Sequence, residues 1–171
     1  MARSDSFFIR ATVDTNGVTY EQTSIDLGAF VDALGKTVMR IHSVAVQYGD
    51  PTNLPTPLPG GGNAMTAYQL TTQSQTDMVN AANRTLISSG KLVLGCESSV
   101  APGSNNITSL TDFADLSPDQ WRGGYLVAVE SIFLGTDSVS NAICDNVTVV
   151  LECTVETMTA SASMALALSQ Q

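Results

Sequence analysis

The sequence predicts an all-β domain, a two-sheet antiparallel sandwich of about eight strands with one or two short helices. Three observations point to it. First, Asn146–Glu156, NVTVVLECTVE, places Val147, Val149, Leu151, Cys153 and Val155 on one side. Thr148, Glu152, Thr154 and Glu156 fall on the other, with Val150 the single apolar exception. This period of two marks a half-buried strand, because successive side chains alternate across the pleat. Second, short apolar or alternating runs recur along the chain between turn signals. Third, no long helical period interrupts them.

In chain order, Ser6–Val13 reads as a strand, with Phe7, Ile9, Ala11 and Val13 opposite Phe8, Arg10 and Thr12. Asn16-Gly17 is the favoured hairpin dipeptide, so Val18–Gln22 is expected to return as a short strand. Ser24–Leu34 has room for one helical turn, capped by Asp26 and stopped by Gly35. Thr37–Tyr48 is a long strand in which Val38, Arg40, His42, Val44, Val46 and Tyr48 are expected to share a face. Asp50–Asn63 carries four of the six prolines and a glycine triplet, which makes it a surface loop. Ala64–Thr72 resumes as a strand, and Asp77–Arg84 is expected to be a short helix. Thr85–Ser88 and Lys91–Glu97 read as two strands or one with a bend. Ser98–Thr108 is a polar loop, and Ser117-Pro118 opens one helical turn. Tyr125–Leu134, YLVAVESIFL, is apolar on both faces and is expected to be one central strand, paired with Asn146–Glu156 as the organising element of the domain. Gly135–Asp145 is the loop between them. The tail from Thr157 to Gln171 has the alanine and leucine of a short helix, weakened by its Ser/Thr content.

The chain has 171 residues, 43% hydrophobic, enough to bury one core. No domain linker interrupts it. Only 13% of residues are charged, against about 25% in an average globular protein. Such a surface suits subunits that cover one another or a protein working outside the cell. The net charge is −9, and the seven cations are dispersed. Phosphate neutralisation needs clustered Lys and Arg, so direct nucleic-acid binding is not expected. No signal peptide and no membrane span is expected.

The chemistry is sparse, and no catalytic residue, cofactor or metal site is expected. His42 is the only histidine and lies mid-strand. Cys96, Cys144 and Cys153 form no metal-ligand spacing, and Cys153 falls on the apolar face of its strand. Asp112, Asp115 and Asp119 cluster without the spacing of a calcium loop. Glu152 and Glu156 are too far apart along a strand to work as a carboxylate pair. Pro59–Asn63 lacks the Gly-Lys-Ser/Thr of a phosphate loop. Asn83, Asn106 and Asn146 head glycosylation sequons, which mean little without secretion. Trp121, Arg122 and Tyr125 join two aromatic rings and a guanidinium before a strand, and they are the one candidate set for a ligand or subunit contact.

The size, the all-β reading, the long loops, the late pair YLVAVESIFL and NVTVVLECTVE and the small-residue tail together resemble the single jelly-roll capsid proteins of tailless icosahedral viruses. The resemblance implies a jelly-roll sandwich over residues 1–171, with 157–171 a C-terminal helix or an exchanged tail. It implies a non-enzymatic shell subunit found in the virion and assembled in the host cytoplasm, with itself and other shell proteins as partners. Only Arg3 precedes the first strand, where many capsid proteins that package a genome carry a basic arm. That departure favours a shell over an internal membrane or other proteins, or an outer-layer subunit. The alternative reading is a secreted carbohydrate-binding sandwich built on Trp121.

Overall fold

The computed structural model describes residues 4–32, 36–52, 61–97, 106–140 and 142–170. Its elements are β1 (Phe7–Asp14), β2 (Glu21–Asp26), β3 (Thr37–Tyr48), β4 (Gly62–Thr71), β5 (Leu86–Glu97), β6 (Asn106–Leu116), β7 (Tyr125–Val127), β8 (Ser131–Val139), β9 (Asn146–Thr157) and α1 (Ala160–Ser169). One sheet runs β1-β9-β3-β7 and the other β2-β8-β4-β5-β6. The pairings β1 with β9, β2 with β8, β3 with β7 and β4 with β5 are all antiparallel. The chain is thus one long antiparallel ribbon, first strand against last. Successive rungs of this ribbon alternate between the two sheets, which is the wrapping of a jelly roll. β6 is an addition, paired to the outer side of β5.

Between the sheets lies the core, with Met39 and Ile41 of β3, Leu70 of β4, Ile132 and Leu134 of β8, and Val147, Val149, Leu151 and Cys153 of β9 fully buried. The alternation read from β1, and from β9 as far as Cys153, is the alternation found, and Phe7, Ile9 and Ala11 pack against this cluster. Beyond Cys153 the other side of β9 is covered too, with Thr154 and Glu156 buried and Val155 half-buried. Burial, reinforced by the Glu152 carboxylate, pushes the Cys153 thiol up from 9.0 to about 12. Thiolate is the reactive form, so native Cys153 should resist a thiol reagent at pH 8 and react on unfolding; fast reaction of the native protein at Cys153 contradicts its placement. The linked cost to stability has a definite sign. With the folded value above the ordinary 9.0, it is absent at neutral pH and grows as pH rises toward 12.

Several expectations are corrected. YLVAVESIFL is not one strand: β7 ends at Val127 and β8 begins at Ser131, in the other sheet. The corner between them has its own partners, since Ala128 N–H donates to Gln170 Oε1 at 3.0 Å and Leu27 N–H donates to Glu130 O at 2.8 Å. The run stays apolar as far as Val129 because Ala128 is buried and Val129 half-buried at the corner, while Glu130 at its tip is exposed. β7 also does not touch β9 in the ladder; β3 separates them. β8 continues to Val139 through part of the expected loop.

β3 has the expected bounds but not one continuous face. The register against β9 shifts between Ile41 and Ser43, making His42 the extra residue of a bulge. Met39 and Ile41 therefore face the core before it, and Val44 and Val46 after it. Val38, Arg40 and His42 lie on the outer side. Asn16-Gly17 does turn the chain, with Gly17 at φ 62° and Thr19 N–H bonded to Asn16 O at 3.1 Å. The strands on either side of that turn enter different sheets, so there is no β1–β2 hairpin. Asp26 does cap a single turn, its Oδ1 accepting from Gly28 N–H at 2.8 Å. Gly35 lies outside the described residues.

No helix forms over Asp77–Arg84. Asp77, Asn80 and Asn83 each use a side-chain oxygen to cap a nearby backbone N–H, at 2.7, 3.0 and 2.9 Å, and this competes with helical bonding. Buried Gln69 ties this segment to β4, accepting from Val79 N–H at 2.7 Å and donating to Asp77 O at 3.0 Å. The expected polar loop Ser98–Thr108 lies outside the described residues up to 105, and from Asn106 the chain is strand β6. β5 is one strand, and Gly90 lets β6 approach it: a Cβ there would meet Phe113 O at 2.7 Å and Tyr68 Cε1 at 2.7 Å.

After β9, Thr159 starts α1 by accepting from Ala162 N–H at 3.3 Å. The helix seats Ala167 and Leu166 on the outer side of the first sheet, over Val38, Leu126 and Ala128. Its last turn is fastened by Gln170, whose side chain accepts from Ala128 N–H at 3.0 Å and whose carbonyl accepts from Thr72 Oγ1 at 2.7 Å.

Candidate functional site

Two surfaces stand out. The first is built at the corner that leads into β7. Ser117-Pro118 opens a 3-10 turn over Pro118–Gln120, and Trp121 N–H closes it on Pro118 O at 3.2 Å. Gly123 and Gly124 follow at φ 95° and 70°. Gly124 presses so close to β3 that a Cβ would lie 2.2 Å from Ile41 O. This reversal places Tyr125 opposite Ile41 in the ladder and sets its ring 6.0 Å from that of Trp121, at an interplanar angle of 40°. Trp121 is 38% exposed. Tyr125 is half-buried; burial raises its phenol, and a hydrogen bond with Gln170 pulls the other way.

The two rings line a groove of about 530 Å³ with Arg40, Arg84, Leu166 and Gln170. Arg40 is committed: Nε donates to Glu156 Oε1 at 2.7 Å, Nη2 to Oε2 at 2.8 Å, and Nη1 to Gly123 O. The hydrogen bond to Glu156 raises the Arg40 pKa, against a smaller desolvation effect. Glu156 is only 5% exposed while Arg40 lines the groove, so this bidentate pair is part-buried, its carboxylate inside the fold and its guanidinium at the groove wall. Arg84 arrives from the segment before β5 and is exposed. Among the described residues no carboxylate lines the groove.

Of the three residues singled out from sequence, Trp121 and Tyr125 come together. Arg122 is exposed beside them and does not line the groove. Arg84 and Arg40, which do, were not legible as a site. They lie far away in sequence, and no local pattern links them.

The second surface is β6. It pairs β5 on one side and ends its sheet on the other among the described residues. The opposing sheet has four strands to this sheet's five, and residues 107–115 are exposed on both faces. Ile107, Leu110 and Phe113 are 42%, 50% and 44% exposed. Asp115 is held by Lys91 at 3.2 Å. Asp112 faces the open mouth of the sandwich beside Val44, Val46 and Tyr68. There the buried Tyr48 hydroxyl finds no hydrogen-bond partner among the described residues, and burial, then Asp112, pushes its phenol up.

The remaining candidates have ordinary surroundings. His42 Nε2 lies 2.9 Å from Thr154 Oγ1 at the bulge. Glu152 meets Ser43 at 3.4 Å. None of the three cysteines is in a disulfide. Asn83 uses its side chain to cap Thr85, and Asn146 opens β9. Among the described residues no group of three His, Cys, Asp or Glu side chains is placed to hold a metal ion, Asp112, Asp115 and Asp119 included. No described helix is long and apolar enough to cross a membrane.

No known family model matches the sequence. No curated protein matches it either. Among solved structures, the chain is similar to the VP1 protein of Trichodysplasia spinulosa-associated polyomavirus, at 9% identity and a TM-score of 0.47, over 88% of this chain and 95% of that one. It is also similar to a chain of Desmodium yellow mottle tymovirus, at 9% identity and a TM-score of 0.35, over 90% of this chain and 86% of that one. A third similar structure is from Maize chlorotic mottle virus, at 8% identity and a TM-score of 0.31, over 91% of this chain and 95% of that one. The jelly-roll wrapping itself is established by the strand pairing of this chain.

Proposed function

We propose that the chain is a non-enzymatic structural subunit of an icosahedral virion shell, assembling with copies of itself through loops and strand faces. The observation that carries this reading is β6. An eleven-residue strand that ends a sheet and exposes large apolar side chains is a surface that monomeric proteins normally blunt or cover. The low charge content fits subunits that cover one another. Dispersed cations and a net charge of −9 favour a shell that does not grip nucleic acid directly, lying over other proteins or a membrane. Other shell proteins are further partners in this reading, and the virion is its location.

The test is the native mass by light scattering, with negative-stain microscopy of the same sample. The expected result is closed particles or regular oligomers, favoured by salt because screening reduces repulsion between acidic subunits. A species that stays at 17.9 kDa across salt and concentration overturns the reading.

The groove favours a second reading, a carbohydrate-binding sandwich, since Trp121 offers a partly exposed ring beside Arg84. It predicts a stable monomer whose glycan affinity falls roughly tenfold or more in Trp121→Ala. Unchanged affinity in that variant removes it.

A further inference from the structure

We infer that the Trp121 groove of one copy receives the β6 edge of a second copy. This rests on the shell-subunit reading and assigns the contact through which the copies meet. The groove combines two aromatic rings and Leu166 with the exposed Arg84 guanidinium, and among the described residues no carboxylate lines it. β6 presents the matching set: exposed Ile107 and Leu110, with Asp112 on the same side of the strand as Leu110. Residues two apart on a strand lie about 6.8 Å from one another on one face, so a single edge brings an apolar side chain and a carboxylate to the groove together.

The charges match because each is otherwise uncommitted. Arg40 is neutralised by Glu156 and Asp115 by Lys91, whereas Arg84 and Asp112 have no ion-pair partner among the described residues. On a chain of net charge −9, general electrostatics opposes self-association. A contact that joins an acidic edge to a groove carrying the Arg84 guanidinium turns a local part of that field into attraction. The two patches are different surfaces of one molecule, so the interface is heterologous. Such contacts propagate from copy to copy and close into rings when the rotation permits, as a shell requires.

The experiment is a charge exchange on the full chain, read by sedimentation velocity and negative stain. Asp112→Arg and Arg84→Glu are each expected to raise the concentration for half-assembly roughly tenfold or more, by setting like charges against each other. The double variant D112R/R84E is expected to recover assembly. Asp14→Arg, the same charge change at an exposed site on β1, the strand at the other end of its sheet from β7, is expected to leave assembly intact. Circular dichroism and the fluorescence of Trp121, the only tryptophan, check that each variant is folded. Wild-type assembly with both single variants unaffected overturns this contact and leaves the shell reading standing. Loss in the single variants without recovery in the double also overturns it. A wild type that remains monomeric overturns the shell reading itself.

Discussion

Arg40→Met is expected to destabilise the protein by about 1–3 kcal/mol, the scale for leaving a hydrogen-bonded polar group without its partner in a part-buried site. Glu156 is 5% exposed and receives two hydrogen bonds from this guanidinium, at 2.7 and 2.8 Å. Without Arg40, a carboxylate is left between β9 and the corner before β7 with its main donors gone. The same side chain also bonds Gly123 O, so the Trp121 corner loses a tether. Urea denaturation gives the number. The double variant Arg40→Met/Glu156→Leu discriminates between causes. Replacing both charges with apolar groups of similar size removes the desolvation cost along with the attraction, so it should recover most of the loss. An Arg40→Met protein within about 0.5 kcal/mol of wild type, the ordinary range for a surface substitution, shows that the pair is solvated.

The second large effect is at Gly124. Its φ of 70° is a left-handed conformation that costs an L-residue about 1–2 kcal/mol. A Cβ would also lie 2.2 Å from Ile41 O, a backbone atom that cannot rotate away as a side-chain tip can. Strain and overpacking together put Gly124→Ala at about 2–5 kcal/mol. Because Gly124 sets the turn between Trp121 and Tyr125, the emission of Trp121 in the folded variant should shift too. Gly17→Ala is the control: its φ is 62° but nothing lies within 4 Å of a Cβ, so only the conformational cost applies. Equal losses at the two glycines would mean that the contact with β3 contributes nothing.

Much of the fold was legible because one buried face imposes a period of two. β1, β3 and β9 are readable within a residue or two for that reason, and β4 is readable although both its faces are buried. The helical turn at Pro118 follows from its proline, whereas Ser117, read as its cap, makes no side-chain cap hydrogen bond. Legibility failed where the physics is not local. β6 was read as loop and turn because a strand exposed on both faces carries no strong alternation of apolar and polar residues. Its structure comes from the ladder with β5. YLVAVESIFL reads as one strand because its apolar residues run to Val129 and resume at Ile132, and hydrophobicity reports burial rather than direction. At His42 a single bulge reversed the phase of β3, and a bulge has no compositional signal. Of the candidate site, Trp121 and Tyr125 were legible as neighbours in sequence, whereas Arg84 and Arg40 join them only through the folded chain.

The sequence by itself determined the all-β class, the bounds and inward faces of the strands with one buried side, the turns written in glycine, asparagine and proline, and an acidic surface with dispersed cations. These properties follow from side-chain spacing and backbone preference within a few residues. The tertiary structure alone decided which sheet each strand joins, that the ribbon wraps as a jelly roll with β6 left over at one edge, and that Arg40 closes on Glu156 beneath a groove walled by Trp121, Tyr125 and Arg84. These depend on pairings between residues as much as 151 positions apart, as Ser4 with Val155. Such contacts form only when the whole ribbon closes, and no local preference encodes them.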